Sequence, residues 1–180
     1  MLENHVYTAT SLDGFIARPD GSLDWLMQFD PAQQEYETFI AGMDGIVMGR
    51  STYQTVHDFG DWPYTIPAVV LSTSLSPADV PAALRDKVEV SAQPVEALCR
   101  RLHAERGWRT AYVDGGRTVQ SFLAAGLIAQ MTIFTMPVLI GAGRPLFGPI
   151  DADMQWSLTE CAPLAMGAAK TVWRRAGAAR

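Results

Sequence analysis

The sequence predicts an α/β fold with a mostly parallel central sheet, an antiparallel C-terminal edge and helices on both faces. Three observations support this prediction. Short apolar runs alternate with segments of helical periodicity, as in chains built from βα units. Several of these runs end directly in glycine or hydroxyl-bearing residues. Two alternating segments, 154–160 and 171–175, are typical of a closing antiparallel hairpin.

The expected strands are apolar or alternating runs rich in β-branched residues. They span 5–10, 45–49, 68–71, 88–90, 111–113 and 130–138. The run 45–49 is continuously apolar and ends in glycine, which favours a parallel strand buried on both faces.

The expected helices follow these strands. Asp30 as N-cap, with Pro31 at the first helical position, predicts a helix over 32–41. The other predicted helices begin at Arg50, span 95–106 and span 118–123.

Length and composition limit the classes of function. A chain of 180 residues most simply forms one domain, here expected over 1–180. The net charge is −5 and the pI about 5.1, so no electrostatic footprint for nucleic acid is present. The longest apolar run, 131–142, is broken by Pro137 and is too short for a membrane span. The first residues lack the pattern of a signal peptide.

The two cysteines, Cys99 and Cys161, lie far apart and lack metal-site spacing. We therefore expect no disulfide framework and no metal site. A reducing, cytoplasmic setting fits this cysteine usage.

The strongest local pattern is the stretch 110–123, in which a strand passes through Gly115 and Gly116 into a helix. The free backbone N–H groups and the dipole of a helix N-terminus suit a phosphate. Residues without a Cβ also let a ligand approach the backbone closely. The stretch alone is equally consistent with an ordinary strand–turn–helix connection.

Two further strand ends carry glycine, a cation or hydroxyls. They are Gly49, Arg50, Ser51 and Thr52 after one strand, and Ser72 and Thr73 after the next. Because parallel strands end at one edge of a sheet, three such junctions predict an extended, phosphate-bearing ligand such as a dinucleotide. The sequence contains no GxGxxG after its first strand, and no Walker, HExxH or GxSxG motif.

Residues 11–21 form an expected loop with Asp-Gly turns at both ends and an apolar centre. Such a loop either covers a ligand or packs as a hairpin-like excursion on its own core. The sequence leaves both alternatives open.

The ordered set of motifs resembles a known family. The segment IVMGRSTY at 46–53 looks like the strand–helix junction of dihydrofolate reductases, and VDGGRTVQSFL at 113–123 is similar to their double-glycine junction. SLDG at 11–14 and PVLIGAGRPLF at 137–147 are closer still to the family that contains the reductase domain of bacterial riboflavin biosynthesis. The chain is identified over nearly its whole length as a member of that family.

This resemblance implies a dihydrofolate reductase-like fold and an NADPH-dependent reductase. It implies that Arg50 favours NADPH over NADH, since guanidinium pairs well with phosphate. It also implies a cis peptide between the two glycines. The implied cofactor residues are Gly49, Arg50, Ser51 and Thr52 on the adenosine side, Ser72 and Thr73 at the ribose phosphate, Gly115, Gly116, Arg117 and Thr118 around the pyrophosphate, and Ala9 and Ile16 beside the nicotinamide.

Departures from the family pattern bear on the substrate. Asp114 stands where dihydrofolate reductases usually keep a third glycine. Trp25 and Asp30 keep the Trp-to-Asp spacing of the folate enzymes, whose Asp binds the pterin ring. Asp30 could instead cap a helix, because Pro31 follows it.

Hydride transfer also requires a proton for the reduced substrate. Asp13 and Asp30 are the carboxylates that the sequence places best to supply it, although Asp13 could instead only shape its turn. The expected substrate wall consists of Trp25, Tyr53, Leu139 and Phe147, although aromatic and apolar side chains lie by default in the core.

The leading hypothesis is an NADPH-dependent reductase of a small heterocyclic or carbonyl-type substrate. A true dihydrofolate reductase and a non-catalytic nucleotide-binding protein are the alternatives. The resemblance further suggests a homodimer. The expected partner is a small-molecule substrate, with no nucleic acid, membrane or metal.

Overall fold

The computed structural model describes residues 1–29 and 33–176. These residues form ten strands and four α-helices. In chain order they are β1 (Glu3–Ser11), β2 (Phe15–Ala17), α1 (Gln33–Ala41), β3 (Gly45–Gly49), α2 (Arg50–Asp58), β4 (Ala68–Leu71), β5 (Val88–Ser91), α3 (Val95–Arg106), β6 (Thr110–Asp114), α4 (Gly116–Ala124), β7 (Ile128–Met136), β8 (Arg144–Pro145), β9 (Trp156–Pro163) and β10 (Ala169–Arg175).

Eight strands form one sheet in the order β5-β4-β3-β6-β1-β7-β10-β9. The first six run parallel to their neighbours, whereas β10 runs antiparallel between β7 and β9. The predicted parallel sheet with an antiparallel C-terminal edge is confirmed. The carboxyl ends of the parallel strands therefore share one edge, where ligands bind in sheets of this kind.

Helices cover both faces of the parallel part of the sheet. Val47 of β3 packs with Leu98 of α3 and Phe122 of α4 on one face. Its neighbours Ile46 and Met48 pack with α1 and α2 on the other face. Burial on both faces explains why β3 and β4 are continuous apolar runs.

Most predicted elements are confirmed, with shifts at their ends. β4 and α3 have the predicted bounds, whereas β7 begins and ends two residues earlier than predicted. Pro137 follows directly and has no N–H for the ladder, which is consistent with the earlier end of β7. The predicted helix start at Asp30 and Pro31 lies outside the described residues.

The sheet opens between β1 and β6. The two strands pair from Glu3–Thr110 to His5–Tyr112, although β1 continues to Ser11. Beyond this point the hydroxyl of Tyr112 donates to the carbonyl oxygen of Tyr7 at 3.0 Å. The carboxyl-terminal halves of β1 and β6 thus separate beside the double glycine.

No helix in the described parts of the chain has both the length and the apolar character needed to cross a membrane.

Candidate functional site

A cleft of about 610 Å³ lies at the carboxyl edge of the sheet, where β3, β4 and β5 end. Seven of the predicted cofactor residues line it: Gly49, Arg50, Ser51, Ser72, Thr73, Arg117 and Thr118. The end of β5 and the start of α3 also line the cleft, which was not predicted from the sequence; they contribute Ser91, Gln93, Pro94, Val95 and Glu96. The signal for them was the hydroxyl of Ser91 after a short strand, followed by Pro94 before an amphipathic helix.

Three helix N-termini meet at this cleft. α2 follows Gly49, α3 follows Pro94 and α4 follows Gly115, and no side-chain cap is present at any of these three ends. Their first-turn N–H groups therefore lack a side-chain acceptor. The helix dipoles and the guanidinium groups of Arg50 and Arg117 make the cleft attractive for an anion.

The double glycine has the backbone geometry that a close approach requires. Gly115 has φ of +89°, and a Cβ there would lie 2.2 Å from the hydroxyl oxygen of Thr52. A Cβ on Gly49 would lie 2.8 Å from the hydroxyl oxygen of Thr118. The junctions before α2 and α4 therefore pack closely against each other. Three predicted cofactor residues of these junctions, Thr52, Gly115 and Gly116, do not themselves line the cleft.

No cis peptide occurs among the described residues, so the bond between Gly115 and Gly116 is trans. The cis peptide implied by the resemblance is wrong for this structure. Instead, the positive φ of Gly115 turns the chain from β6 into α4.

The turn after β4 presents ordered hydroxyls beside a cation. The guanidinium of Arg50 donates to the hydroxyl of Ser74 at 2.8 Å. The hydroxyl oxygen of Ser72 accepts from the backbone N–H groups of Ser74 and Leu75 at 3.1 and 2.9 Å. A guanidinium beside hydroxyls is the chemistry that binds a phosphate group.

The loop over residues 11–21 lies against the double glycine. Its strand β2 pairs with β8 to form a two-stranded antiparallel ribbon. A Cβ on Gly116 would lie 3.0 Å both from the Cδ1 of Ile16 and from the carbonyl oxygen of Pro145. The ribbon therefore covers the N-terminus of α4.

Asp114 is a candidate that the sequence analysis treated only as a departure from the family pattern. Its carboxylate is partly buried at the end of β6 and accepts from the N–H of Gly115 at 2.8 Å. Desolvation raises the pKa of this carboxyl, and the hydrogen bond from Gly115 only partly offsets it. The signal was a carboxylate directly before a double glycine.

All five tyrosines of the chain lie on the same face of the sheet as α1 and α2. Burial raises the pKa of Tyr7 and of Tyr36 to about 12, and the pKa of Tyr64 is raised by burial and by the charge of Asp114. Phe39 stacks on Tyr7 at 4.5 Å between ring centroids and meets Tyr112 edge-on at 5.2 Å. These hydroxyls stay protonated and can act as hydrogen-bond donors.

Asp13 is exposed and its carboxylate is fully engaged by neighbours. It accepts from the Ser11 hydroxyl at 2.5 Å and from the N–H of Gly141 at 2.8 Å. The hydrogen bond from Ser11 is the main cause that lowers the pKa of Asp13. This geometry favours the turn-shaping alternative, and a proton-donating role stays a prediction. Asp30 lies outside the described residues.

The four side chains of the expected substrate wall lie in different places. Trp25 and Tyr53 are 2% and 4% exposed and belong to separate apolar clusters, as the core alternative predicts. Leu139 is 68% exposed, and Phe147 lines a separate cavity of about 220 Å³ beside the end of α4. Ala9 packs beside the cluster that contains Trp25.

A larger cleft, of about 860 Å³, opens on the face of β7, β9 and β10. Its central cation, Lys170, binds Glu35 at 2.8 Å and Glu160 at 3.0 Å. Arg174 also lines this cleft, so two cations balance two carboxylates there. The cleft at the carboxyl edge has two cations, Arg50 and Arg117, and one carboxylate, Glu96, and we place the candidate functional site there.

The fold and this site together define a class of protein: α/β proteins with a split, mostly parallel sheet and a cleft at its carboxyl edge. Dihydrofolate reductase-like proteins have this architecture. The family model described as the RibD C-terminal domain matches residues 5–170, and the chain belongs to that family.

Individual relatives agree with this assignment. The chain is 35% identical to a protein from Shewanella sp. PV-4 named for riboflavin biosynthesis, with a TM-score of 0.90 and coverage of 97% of this chain and 99% of that one. It is also 32% identical to the uncharacterized protein YwjB of Bacillus subtilis (strain 168), over 85% of this chain and 87% of the relative.

A more distant structure extends the fold comparison. It is the diaminohydroxyphosphoribosylaminopyrimidine deaminase/5-amino-6-(5-phosphoribosylamino)uracil reductase of Thermotoga maritima, which is 15% identical with a TM-score of 0.78. The match covers 97% of this chain and 57% of that enzyme. The predicted dihydrofolate reductase-like fold and the resemblance to riboflavin-biosynthesis reductases are confirmed.

Proposed function

We propose that this protein is an NADPH-dependent reductase that transfers a hydride to a small heterocyclic or carbonyl-type substrate. One observation supports this most strongly: the N-termini of α2, α3 and α4, none with a side-chain cap, meet at one cleft together with Arg50 and Arg117. Such a site favours a ligand with several phosphate charges along its length.

The predicted cofactor residues would each bind a different part of NADPH. Arg50, Ser72 and Thr73 would bind the phosphate on the adenosine ribose, which distinguishes NADPH from NADH. Gly115, Gly116, Arg117 and Thr118 would bind the pyrophosphate, and Gly49, Ser51 and Thr52 would shape the wall between these two groups. Ala9 and Ile16 would flank the nicotinamide where β1 and β6 separate.

The bound cofactor would supply the hydride. The chain then has to align the substrate, exclude water and deliver a proton. We propose Asp114 for the proton, because burial raises the pKa of its carboxyl and it lies where the sheet opens. The carboxyl would protonate the heteroatom next to the reduced carbon and then recover its proton from solvent. Asp30 stays the alternative.

Two relatives indicate which substrates to try first. One is named for riboflavin biosynthesis and the other as an aminouracil reductase. A substituted aminopyrimidine is therefore the first candidate substrate, and dihydrofolate tests the folate alternative.

The test of the cofactor assignment is a titration with NADPH and NADH, followed by nucleotide fluorescence. We expect NADPH to bind more tightly, and Arg50→Ala to weaken NADPH about tenfold to a hundredfold, the effect of one charge-assisted hydrogen bond or pair. Arg100→Ala, an exposed cation on α3 outside the cleft, is the matched control. If neither nucleotide binds the wild-type protein, the reductase assignment fails.

The enzyme is distinguished from a binding protein by substrate-dependent loss of NADPH absorbance. Tight NADPH binding without turnover of any aminopyrimidine, carbonyl compound or dihydrofolate would favour the non-catalytic alternative. The homodimer suggested by the resemblance is a separate proposal, which sedimentation of the purified protein would test.

A further inference from the structure

Two segments far apart in sequence meet above the double glycine. We call residues 12–24 the first loop and residues 137–150 the second loop. β2 belongs to the first loop and β8 to the second, and they pair at Phe15–Pro145 and Ala17–Arg144. The N–H of Leu146 also donates to the carbonyl oxygen of Gly14 at 3.1 Å. Each loop therefore contributes one strand to the ribbon of β2 and β8.

Asp13 links the two loops with its side chain. Its carboxylate accepts from Gly141 at 2.8 Å and from the N–H of Ile140 at 3.2 Å, both in the second loop. On its own side it accepts from the hydroxyl of Ser11, and that hydroxyl oxygen accepts from the N–H of Phe15 at 3.0 Å. One carboxylate thus connects the turn before β2 to two backbone amides more than a hundred residues away.

The linked loops rest on the cofactor side of the cleft. Ile16 and the carbonyl of Pro145 lie over Gly116, as described above. The side-chain amide of Gln120 on α4 donates to the same carbonyl at 3.0 Å. Both loops therefore contact α4, the first through Ile16 and the second through Pro145.

We propose that Asp13 is a positioning residue that joins the two loops and so holds Ile16 against Gly116, on the nicotinamide side of the cofactor site. The inference rests on the proposed function for the identity of the ligand. A carboxylate suits this position because its two oxygens serve a hydroxyl and two amides together. No proton leaves Asp13 in this role, which separates it from the proton donor.

The test compares two ligands that differ in the nicotinamide half. In the proposed binding mode NADPH would extend past the ribbon, whereas 2′,5′-ADP has the adenosine and its phosphates but no nicotinamide half. In Asp13→Ala we expect NADPH to bind about tenfold more weakly, the loss of charge-assisted hydrogen bonds, with 2′,5′-ADP affinity within about twofold of wild type. Asp20→Asn is the control, since Asp20 is exposed in the same loop and its hydrogen bond in the described part of the chain is local, from the N–H of Ser22 at 2.9 Å.

Asp13→Asn separates positioning from charge and from proton donation. An asparagine can turn its oxygen toward Ile140 and Gly141 and its NH₂ toward Ser11, so it should recover NADPH affinity to within about threefold of wild type. Ser11→Ala, which removes only the orienting hydroxyl, should give an intermediate loss and serves if Asp13→Ala does not fold.

Hydrogen exchange on the ligand-free protein checks the contact itself. We expect the amides of Ile140 and Gly141 to exchange faster in Asp13→Ala and at the wild-type rate in Asp20→Asn. The proposal is overturned if Asp13→Ala binds NADPH like wild type, if it weakens both ligands equally, or if Asp13→Asn is as weak as Asp13→Ala. Absence of NADPH binding to the wild-type protein would instead remove the proposed function, and the cofactor part of this inference with it.

Discussion

The two main clefts of this protein differ in what their charged groups do. In the cleft on β7, β9 and β10, Lys170 is bound by two carboxylates. In the cleft at the carboxyl edge, neither Arg50 nor Arg117 forms an ion pair within the described part of the chain. Three helix N-termini there also lack side-chain caps. Two cations, Lys170 and Arg174, face two carboxylates in the larger cleft, whereas Arg50 and Arg117 face only Glu96 in the smaller one. The smaller cleft therefore has a net positive charge, and volume alone is a poor guide to the functional site.

The largest expected effect in the carboxyl-edge cleft comes from Gly115→Ala. The new Cβ would meet Thr52, and φ is positive, so we expect NADPH affinity to fall more than about a hundredfold and unfolding free energy to fall by about 3 kcal/mol. Gly60→Ala is the control, because Gly60 has φ of +115° with nothing near its Cβ position. Equal NADPH binding in both variants would show that the double glycine is not a ligand site.

The next largest effect is expected for Asp114, the proposed proton donor to the substrate. We expect Asp114→Asn to slow hydride transfer about a hundredfold while NADPH affinity stays within about threefold of wild type. Single-turnover rates of NADPH oxidation measure the first quantity, and fluorescence titration measures the second. An unchanged rate would indicate that Asp30 or water, and not Asp114, donates the proton to the substrate.

Asp114 also makes stability depend on pH. Its folded pKa is raised, so the stabilisation linked to its protonated form is full below the unfolded-chain pKa of about 4 and is lost as pH rises through the folded pKa. Asp114→Asn has no such loss. The free energy of unfolding of Asp114→Asn, relative to wild type, should therefore increase from acid to neutral pH in denaturant titrations. A constant difference would contradict a raised pKa for this carboxyl.

The smallest expected effects come from removing one cation from each cleft and comparing the two variants. Arg117→Ala should weaken NADPH about tenfold with little change in stability. Lys170→Ala should leave NADPH affinity within about twofold and lower stability by no more than about 1 kcal/mol, because its carboxylates are partly exposed. If Lys170→Ala instead abolished NADPH binding, the cofactor site would have to be placed in the cleft on β7, β9 and β10.

The cofactor half of the site could be predicted from the sequence because each part is local. A buried strand, a glycine and the first turn of a helix are adjacent in the chain, as in Gly49–Thr52 and Gly115–Thr118. Parallel pairing then brings such junctions to one edge without further information. The predicted bounds of β4 and α3 were met for the same reason, since apolar periodicity is a local signal.

The substrate half depends on contacts between distant segments. Asp13 contacts Ile140 and Gly141 across more than a hundred residues, and β1 and β6 separate before the end of β6, where the partly buried Asp114 lies. The sequence by itself determined the α/β class, the family and the three polar strand ends. Only the tertiary structure decided which carboxyl has a pKa raised by desolvation, which aromatic residues lie in the core and where Ile16 lies, because burial and register arise from packing between segments that share no local pattern.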